Sequence, residues 1–141
     1  MKKNCLLLIT VFFICSSFTF VKNNNLTVEV LGFSDNQGVV YVALYRETDS
    51  FPVIDAQYQG KTSGISNKSA KVQFSGLPNE KFAVAVFHDR NKNGVMDKNL
   101  LGIPTESYGF SNNAREMFSA PSFKSASFSI NSETKVKIKI H

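Results

Sequence analysis

From Asp89 the sequence reads Asp-Arg-Asn-Lys-Asn-Gly-Val-Met-Asp, a run in which oxygen-bearing side chains recur at alternate positions. Asp89, Asn91, Asn93 and Asp97 match the first, third, fifth and ninth positions of an EF-hand-type calcium loop. Gly94 matches the sixth, and the Val95 carbonyl falls at the seventh. Ca²⁺ takes about six to eight hard oxygens at roughly 2.3–2.6 Å. Alternate residues of a tightly turning loop aim their oxygens inward, which leaves Arg90 and Lys92 pointing out. Gly94 lets the chain turn back without a Cβ clash. The twelfth position, where a bidentate glutamate would sit, is Leu100, and no helix pair flanks the loop. Another carboxylate must therefore complete the shell, and Glu106 is the nearest. The expected ligands are Asp89, Asn91, Asn93, Val95, Asp97 and Glu106, with Ca²⁺ preferred over the smaller, more rigidly coordinated Mg²⁺. The competing reading is a metal-free turn cluster, because Asp, Asn and Gly also build turns through Asx hydrogen bonds.

The acids and bases around this loop argue against catalysis. His88 precedes Asp89, but neighbours on a strand point to opposite faces and are badly placed for a dyad. Its expected role is to hydrogen-bond the loop. A zinc site would need a second internal histidine, and His141 is the last residue, expected to fray. A metal-dependent hydrolase built on residues 88–112 is the rival reading. It would need a polarised water and a spare general base, whereas the carboxylates here are committed to ligation. No catalytic residue and no organic cofactor is expected. The favoured function is a Ca²⁺-stabilised, non-enzymatic binding or accessory module for a protein, peptide or carbohydrate. A purely structural metal is the third alternative.

The elements that position this loop show a period of two, the signature of strands. Leu26, Val28 and Val30 alternate with polar residues, and after the turn at 34–38 Val39 to Tyr45 reads as the second strand of a hairpin. Ala70, Val72 and Phe74 form another strand, followed by a turn at Gly76-Leu77-Pro78-Asn79. Phe82 to His88 is apolar on both faces. Ala126 to Ile130 and Val136 to Ile140 alternate with serines and lysines and predict a final hairpin about Asn131-Ser132-Glu133. Residues 46–64 are expected to be irregular, with room for a short helix. The long loop at 89–120 carries Tyr108, Phe110, Met117 and Phe118, and its 98–120 part is expected to cover the small-residue face formed by Ala83, Ala85 and Phe87. Ser111, Asn112 and Asn113 are expected to cap loop backbone. The fold class is all-β, an antiparallel sandwich of about seven strands.

The chain has 141 residues, enough for one domain. Met1-Lys2-Lys3-Asn4, the apolar run Cys5 to Cys15 and the patch around Ser16-Ser17 form a secretory signal peptide over residues 1–20, too short to span a membrane as a helix. The domain then occupies 21–141, and the protein is expected in the periplasm or outside the cell, with no stable membrane insertion after cleavage. Cys5 and Cys15 both lie in the leader, so the exported domain has no disulfide. The net charge is +5, and removing Lys2 and Lys3 leaves +3. No basic cluster interleaved with aromatics is present, which argues against nucleic acid. Lys135, Lys137 and Lys139 read as a solvated strand face that also discourages edge pairing.

The block Phe87-His88-Asp89-Arg90-Asn91-Lys92-Asn93-Gly94, Asp97, Leu101-Gly102-Ile103-Pro104, Glu106 and Tyr108-Gly109-Phe110-Ser111-Asn112 resembles the signature of the DUF2141 family, exported bacterial proteins of unassigned function. The resemblance extends to Val42-Ala43-Leu44-Tyr45, Leu77-Pro78 and Pro121-Ser122-Phe123 with Ala126. Two positions depart from it. Asn79-Glu80 stands where a glycine turn is frequent, and Arg90 where an acid is common. The resemblance implies a small sandwich of the transthyretin or carboxypeptidase-regulatory type, but no activity.

Overall fold

The computed structural model describes residues 24–141, so the leader assigned to residues 1–20 lies outside the described residues. The described residues form two sheets. The smaller has the order β4-β1-β8, from β1 (Asn24–Leu31), β4 (Ser69–Leu77) and β8 (Glu133–Lys139). The larger has the order β3-β2-β5-β6, from β2 (Val39–Arg46), β3 (Gln59–Gly64), β5 (Lys81–Asp89) and β6 (Tyr108–Phe110). The two-residue β7 (Phe128–Ser129) also joins β5. The architecture is the expected all-β sandwich. Its inner faces bury the predicted alternating residues, Leu26, Val28 and Val30 against Val42, Leu44, Val84 and Val86. Each such side chain contributes about 1.5–3 kcal/mol on leaving water.

Several pairings differ from the sequence expectation. β1 and β2 do not form a hairpin. Residues 32–38 cross between the sheets, with Phe33 buried on the way. The predicted C-terminal hairpin is also absent among the described residues. β7 pairs with β5 in the larger sheet, while β8 pairs with β1 in the smaller one. That β1–β8 pairing is parallel, from Asn25↔Glu133 to Leu31↔Lys139, so the sandwich is not purely antiparallel. Alternation fixes which face a side chain takes, not which strand lies beside it. Ala126 ends a one-turn helix, α1 (Phe123–Ala126), whose N-cap Ser122 accepts from the Ser125 N–H. Residues 59–64, expected to be irregular, form edge strand β3. Their sequence, Gln-Gly-Lys-Thr-Ser-Gly, has no apolar alternation, and backbone pairing with β2 holds them.

The 89–120 segment does not simply lie over the outer face of β5. Its Tyr108–Phe110 portion extends the sheet, placing Phe110 opposite Ala85 and Tyr108 opposite Phe87. Cover over that face comes instead from Phe51, whose ring meets Tyr45, Phe110 and Phe123 at 5.2, 5.8 and 6.1 Å. Ser111 Oγ accepts from Val84 N at 2.8 Å and donates to the Ala126 carbonyl at 2.6 Å, and Asn112 Nδ2 donates to the Ser125 and Ser127 carbonyls. The polar run at 111–113 thus caps backbone, as expected. His141 does not fray: its N–H and carbonyl pair with Tyr108 at 3.1 and 3.3 Å. Lys135, Lys137 and Lys139 lie exposed, and Lys137 meets Glu29 at 3.3 Å.

Tyr45 lies under this cover, its hydroxyl donating to the Val53 carbonyl at 2.9 Å. Burial, with the Asp55 and Asp49 carboxylates nearby, pushes its phenol up to about 12 from 10.0. The raised value favours the neutral form in the folded state. Its contribution is therefore complete below pH 10 and is lost as pH rises from 10 to about 12. In Tyr45→Phe, urea denaturation should show a shallower fall in stability across that window. At neutral pH the variant should lose about 1 kcal/mol with the hydrogen bond. An unchanged alkaline slope would contradict this assignment.

Candidate metal centre

The loop starts where β5 stops. Phe82, Val84, Val86 and His88 face the core, so Asp89 emerges on the opposite side of the last pleat. Asp89 is nonetheless completely buried. Its Oδ1 accepts from Asn93 N at 3.1 Å and its Oδ2 from Gly94 N at 2.8 Å, so the loop folds back over its own first carboxylate. Asn91 Oδ1 also accepts from Asn93 N at 3.0 Å, and Asn93 Oδ1 accepts from Val95 N at 3.0 Å. These Asx hydrogen bonds set the tight curvature, and Gly94 at φ +82° supplies the left-handed turn.

Asp97 closes the circuit. Its Oδ2 and Oδ1 accept from the Asn91 and Asn93 side-chain amides at 2.7 and 2.9 Å. Glu106 then bridges the two ends of the loop, Oε1 accepting from Arg90 N at 3.0 Å and Oε2 from Asp97 N at 3.1 Å. The return arm is fixed by Thr105 N to the Asp97 carbonyl at 2.9 Å and by His88 N to the Ser107 carbonyl at 2.8 Å. The fold therefore joins Asp89, Asn91, Asn93, Asp97 and Glu106 in one hydrogen-bonded loop. Val95 takes part through its N–H. Among the described residues no three His, Cys, Asp or Glu side chains gather tightly enough to form a metal-binding group. The carboxylates are spaced by the asparagine amides.

The three salt bridges among the described residues join Arg46 to Asp49, Arg90 to Asp35 and Lys137 to Glu29. None involves Asp89, Asp97 or Glu106. Each carboxylate and amide oxygen in the loop also keeps lone pairs beyond those used by N–H groups. The donor atoms left with free lone pairs are all oxygen, the type a hard cation takes.

His88 does not hydrogen-bond the loop through its side chain. The ring turns inward, with Nε2 2.7 Å from the Gln37 carbonyl and its plane edge-to-face with Phe33 at 5.0 Å. The 32–38 crossover, read from sequence only as a turn, is therefore part of the site's support. Asp35 Oδ2 takes Arg90 at 2.7 Å. Gly38, at φ +80°, lies against the start of the loop, where a Cβ would meet the Asp89 carbonyl and stand 2.7 Å from Arg90 Cα. The glycine was visible in the sequence, but its contact some fifty residues away was not.

Residues 28–139 match the model of DUF2141, described as an uncharacterized protein conserved in bacteria. The chain belongs to this family. No curated protein and no solved structure matches it. In this DUF2141 chain the matched region runs from β1 to the end of β8 and contains the whole loop.

Gly38 and Gly76 separate conformational strain from collision. Both have positive φ, but nothing stands within 4 Å of a Cβ built at Gly76. Gly76→Ala should lose about 1–2 kcal/mol. Gly38→Ala should lose clearly more, because the Asp89–Arg90 backbone must move. Urea midpoints of the two variants check this, and equal losses would refute the proposed contact.

Proposed function

We propose that this DUF2141 domain is an exported, non-enzymatic binding or accessory module of the cell envelope, with its 89–106 loop ordered by Ca²⁺. The observation that carries the metal reading is the completely buried Asp89 carboxylate, joined through one loop to Asp97 and Glu106, with no salt bridge to any of the three among the described residues. Burying charge without a counter-charge is costly, and an oxygen-only loop suits Ca²⁺. Asp89, Asn91, Asn93, Asp97 and Glu106 would supply side-chain oxygens, with the Val95 carbonyl as the backbone ligand. The ion would supply positive charge that locks the loop onto the end of β5. The orientation of His88 supports a non-enzymatic role, since its ring is engaged with Gln37 and Phe33 in the core rather than turned towards the carboxylates. Periplasmic or extracellular placement rests on the leader-like residues 1–20. Partners of protein, peptide or carbohydrate chemistry fit that setting.

Thermal unfolding in excess EGTA and in millimolar Ca²⁺ tests the metal. A ligand that binds only the native state at 100-fold saturation adds about 2.7 kcal/mol, a Tm rise on the order of 10 °C for a domain of this size. The rise should vanish in Asp89→Ala. It should also vanish in Asp97→Ala, whose side chain is only half-buried and whose removal the fold should tolerate. No shift in the parent protein, or an undiminished shift in both variants, would sink the calcium reading.

A further inference from the structure

Arg90, the second residue of the loop, sits beside a carboxylate that its side chain does not pair with. Its backbone N–H donates to Glu106 Oε1 at 3.0 Å, so its Cα stands next to that carboxylate. A guanidinium on a flexible stem reaches such a neighbour, and its planar fork matches a carboxylate through two hydrogen bonds. Yet the guanidinium is turned away, with Nη2 2.7 Å from Asp35 Oδ2. Arg90 thus has two carboxylates within reach and takes the one outside the loop. Asp35 is set up for this. Its Oδ1 accepts from Gln37 N at 2.9 Å, an Asx turn that leaves Oδ2 for Arg90. The next two residues anchor that turn to the end of β5. The Gln37 carbonyl lies 2.7 Å from His88 Nε2, and Gly38 packs on the Asp89–Arg90 backbone. Both partners of the pair are therefore fixed to one strand end. Their side chains are 57% and 34% exposed, so the pair itself adds little stability. What it does is decide where a positive charge goes.

We infer that Asp35 is a positioning residue for the cation site: it holds the Arg90 guanidinium off Glu106 and so keeps that carboxylate open to Ca²⁺. The inference rests on the calcium reading above and names what sets the affinity of that site. A guanidinium on Glu106 takes up the oxygen lone pairs that the ion needs and places a like charge beside it. Released from Asp35, Arg90 becomes a competitor for the ion, built into the loop that binds it. The 32–38 crossover, far from the loop in sequence, thereby tunes the loop without contributing a ligand.

Neutralising Asp35 weakens Ca²⁺ binding by either of two routes, release of Arg90 or plain loss of a nearby negative charge. A double-mutant cycle separates them. Isothermal titration calorimetry with Ca²⁺ is run on the full chain as parent, Asp35→Asn, Arg90→Gln and the double variant. A salt concentration of about 0.15 M screens charges that act only from a distance. Asp35→Asn should weaken binding about fivefold, the scale of one exposed ion pair. In the Arg90→Gln background the same change should weaken it by no more than about twofold, because no guanidinium is left to release. Arg90→Gln alone should bind at least as tightly as the parent. Circular dichroism should show all four proteins folded, since both side chains are part-exposed. Equal weakening in the two backgrounds, or no weakening in Asp35→Asn, overturns the inference and leaves the calcium reading standing. A parent protein that takes up no Ca²⁺ removes that reading and the inference with it.

Discussion

A buried carboxylate at the end of the central strand is the constraint around which this end of the molecule is arranged. A carboxylate taken out of water needs hydrogen-bond donors in place of its solvent. The loop answers by bending back so that the N–H groups of Asn93 and Gly94 point at the two carboxylate oxygens. That bend sets the positions of Asn91 and Asn93, which hold Asp97, and it brings Asp97 to where Glu106 can bridge both ends. The geometry of the whole 89–106 segment thus follows from one carboxylate and the glycine that permits the turn. The rigidity of β5, buried on both faces, gives the arrangement a fixed origin.

The sandwich meets this demand by closing along one side. Gly109 of β6 approaches β8 so closely that a Cβ would stand 2.9 Å from both Ile138 Cγ2 and the Lys139 carbonyl. Tyr108 and His141 exchange backbone hydrogen bonds across the same seam. The arm that delivers Glu106 is therefore gripped on two sides, by β5 through His88 and Ser107 and by the C-terminal strand through Tyr108. On the opposite side Lys61 Nζ reaches the Gln73 carbonyl at 2.6 Å, a lighter link between β3 and β4. Polar caps at Ser111, Asn112 and Asn113 complete the seam by satisfying backbone groups that no strand reaches.

The period-two pattern was enough to identify most strands and their buried faces, since alternation follows directly from the pleat. It did not reveal partners. Leu26 to Val30 and Val39 to Tyr45 look like a hairpin in one dimension, yet Phe33 and the glycines at 32 and 38 carry the chain across to the other sheet. β3 was invisible because Gln59 to Gly64 has neither alternation nor β-branched content apart from Thr62. The loop residues were legible because their chemistry repeats at fixed spacing, and Glu106 was legible as the next acid along. Gly38, Asp35 and Gln37 were not, because their role depends on a crossover that brings them to β5 from far away in sequence.

The parallel pairing of β1 with β8 bears on the timing of folding. β1 is the middle strand of the smaller sheet, and one of its edges stays bare until β8 is in place. The side-chain hydrogen bond from Asn25 to Glu133 spans 108 positions, and β4, its other neighbour, is also distant. Contacts of such separation carry a loop-closure penalty before they stabilise anything, and folds dominated by them form in milliseconds to seconds rather than microseconds. A nascent chain lacking its C-terminal strand has no partner for that edge. Among the described residues, the strand earliest in sequence is thus completed by the one latest in sequence.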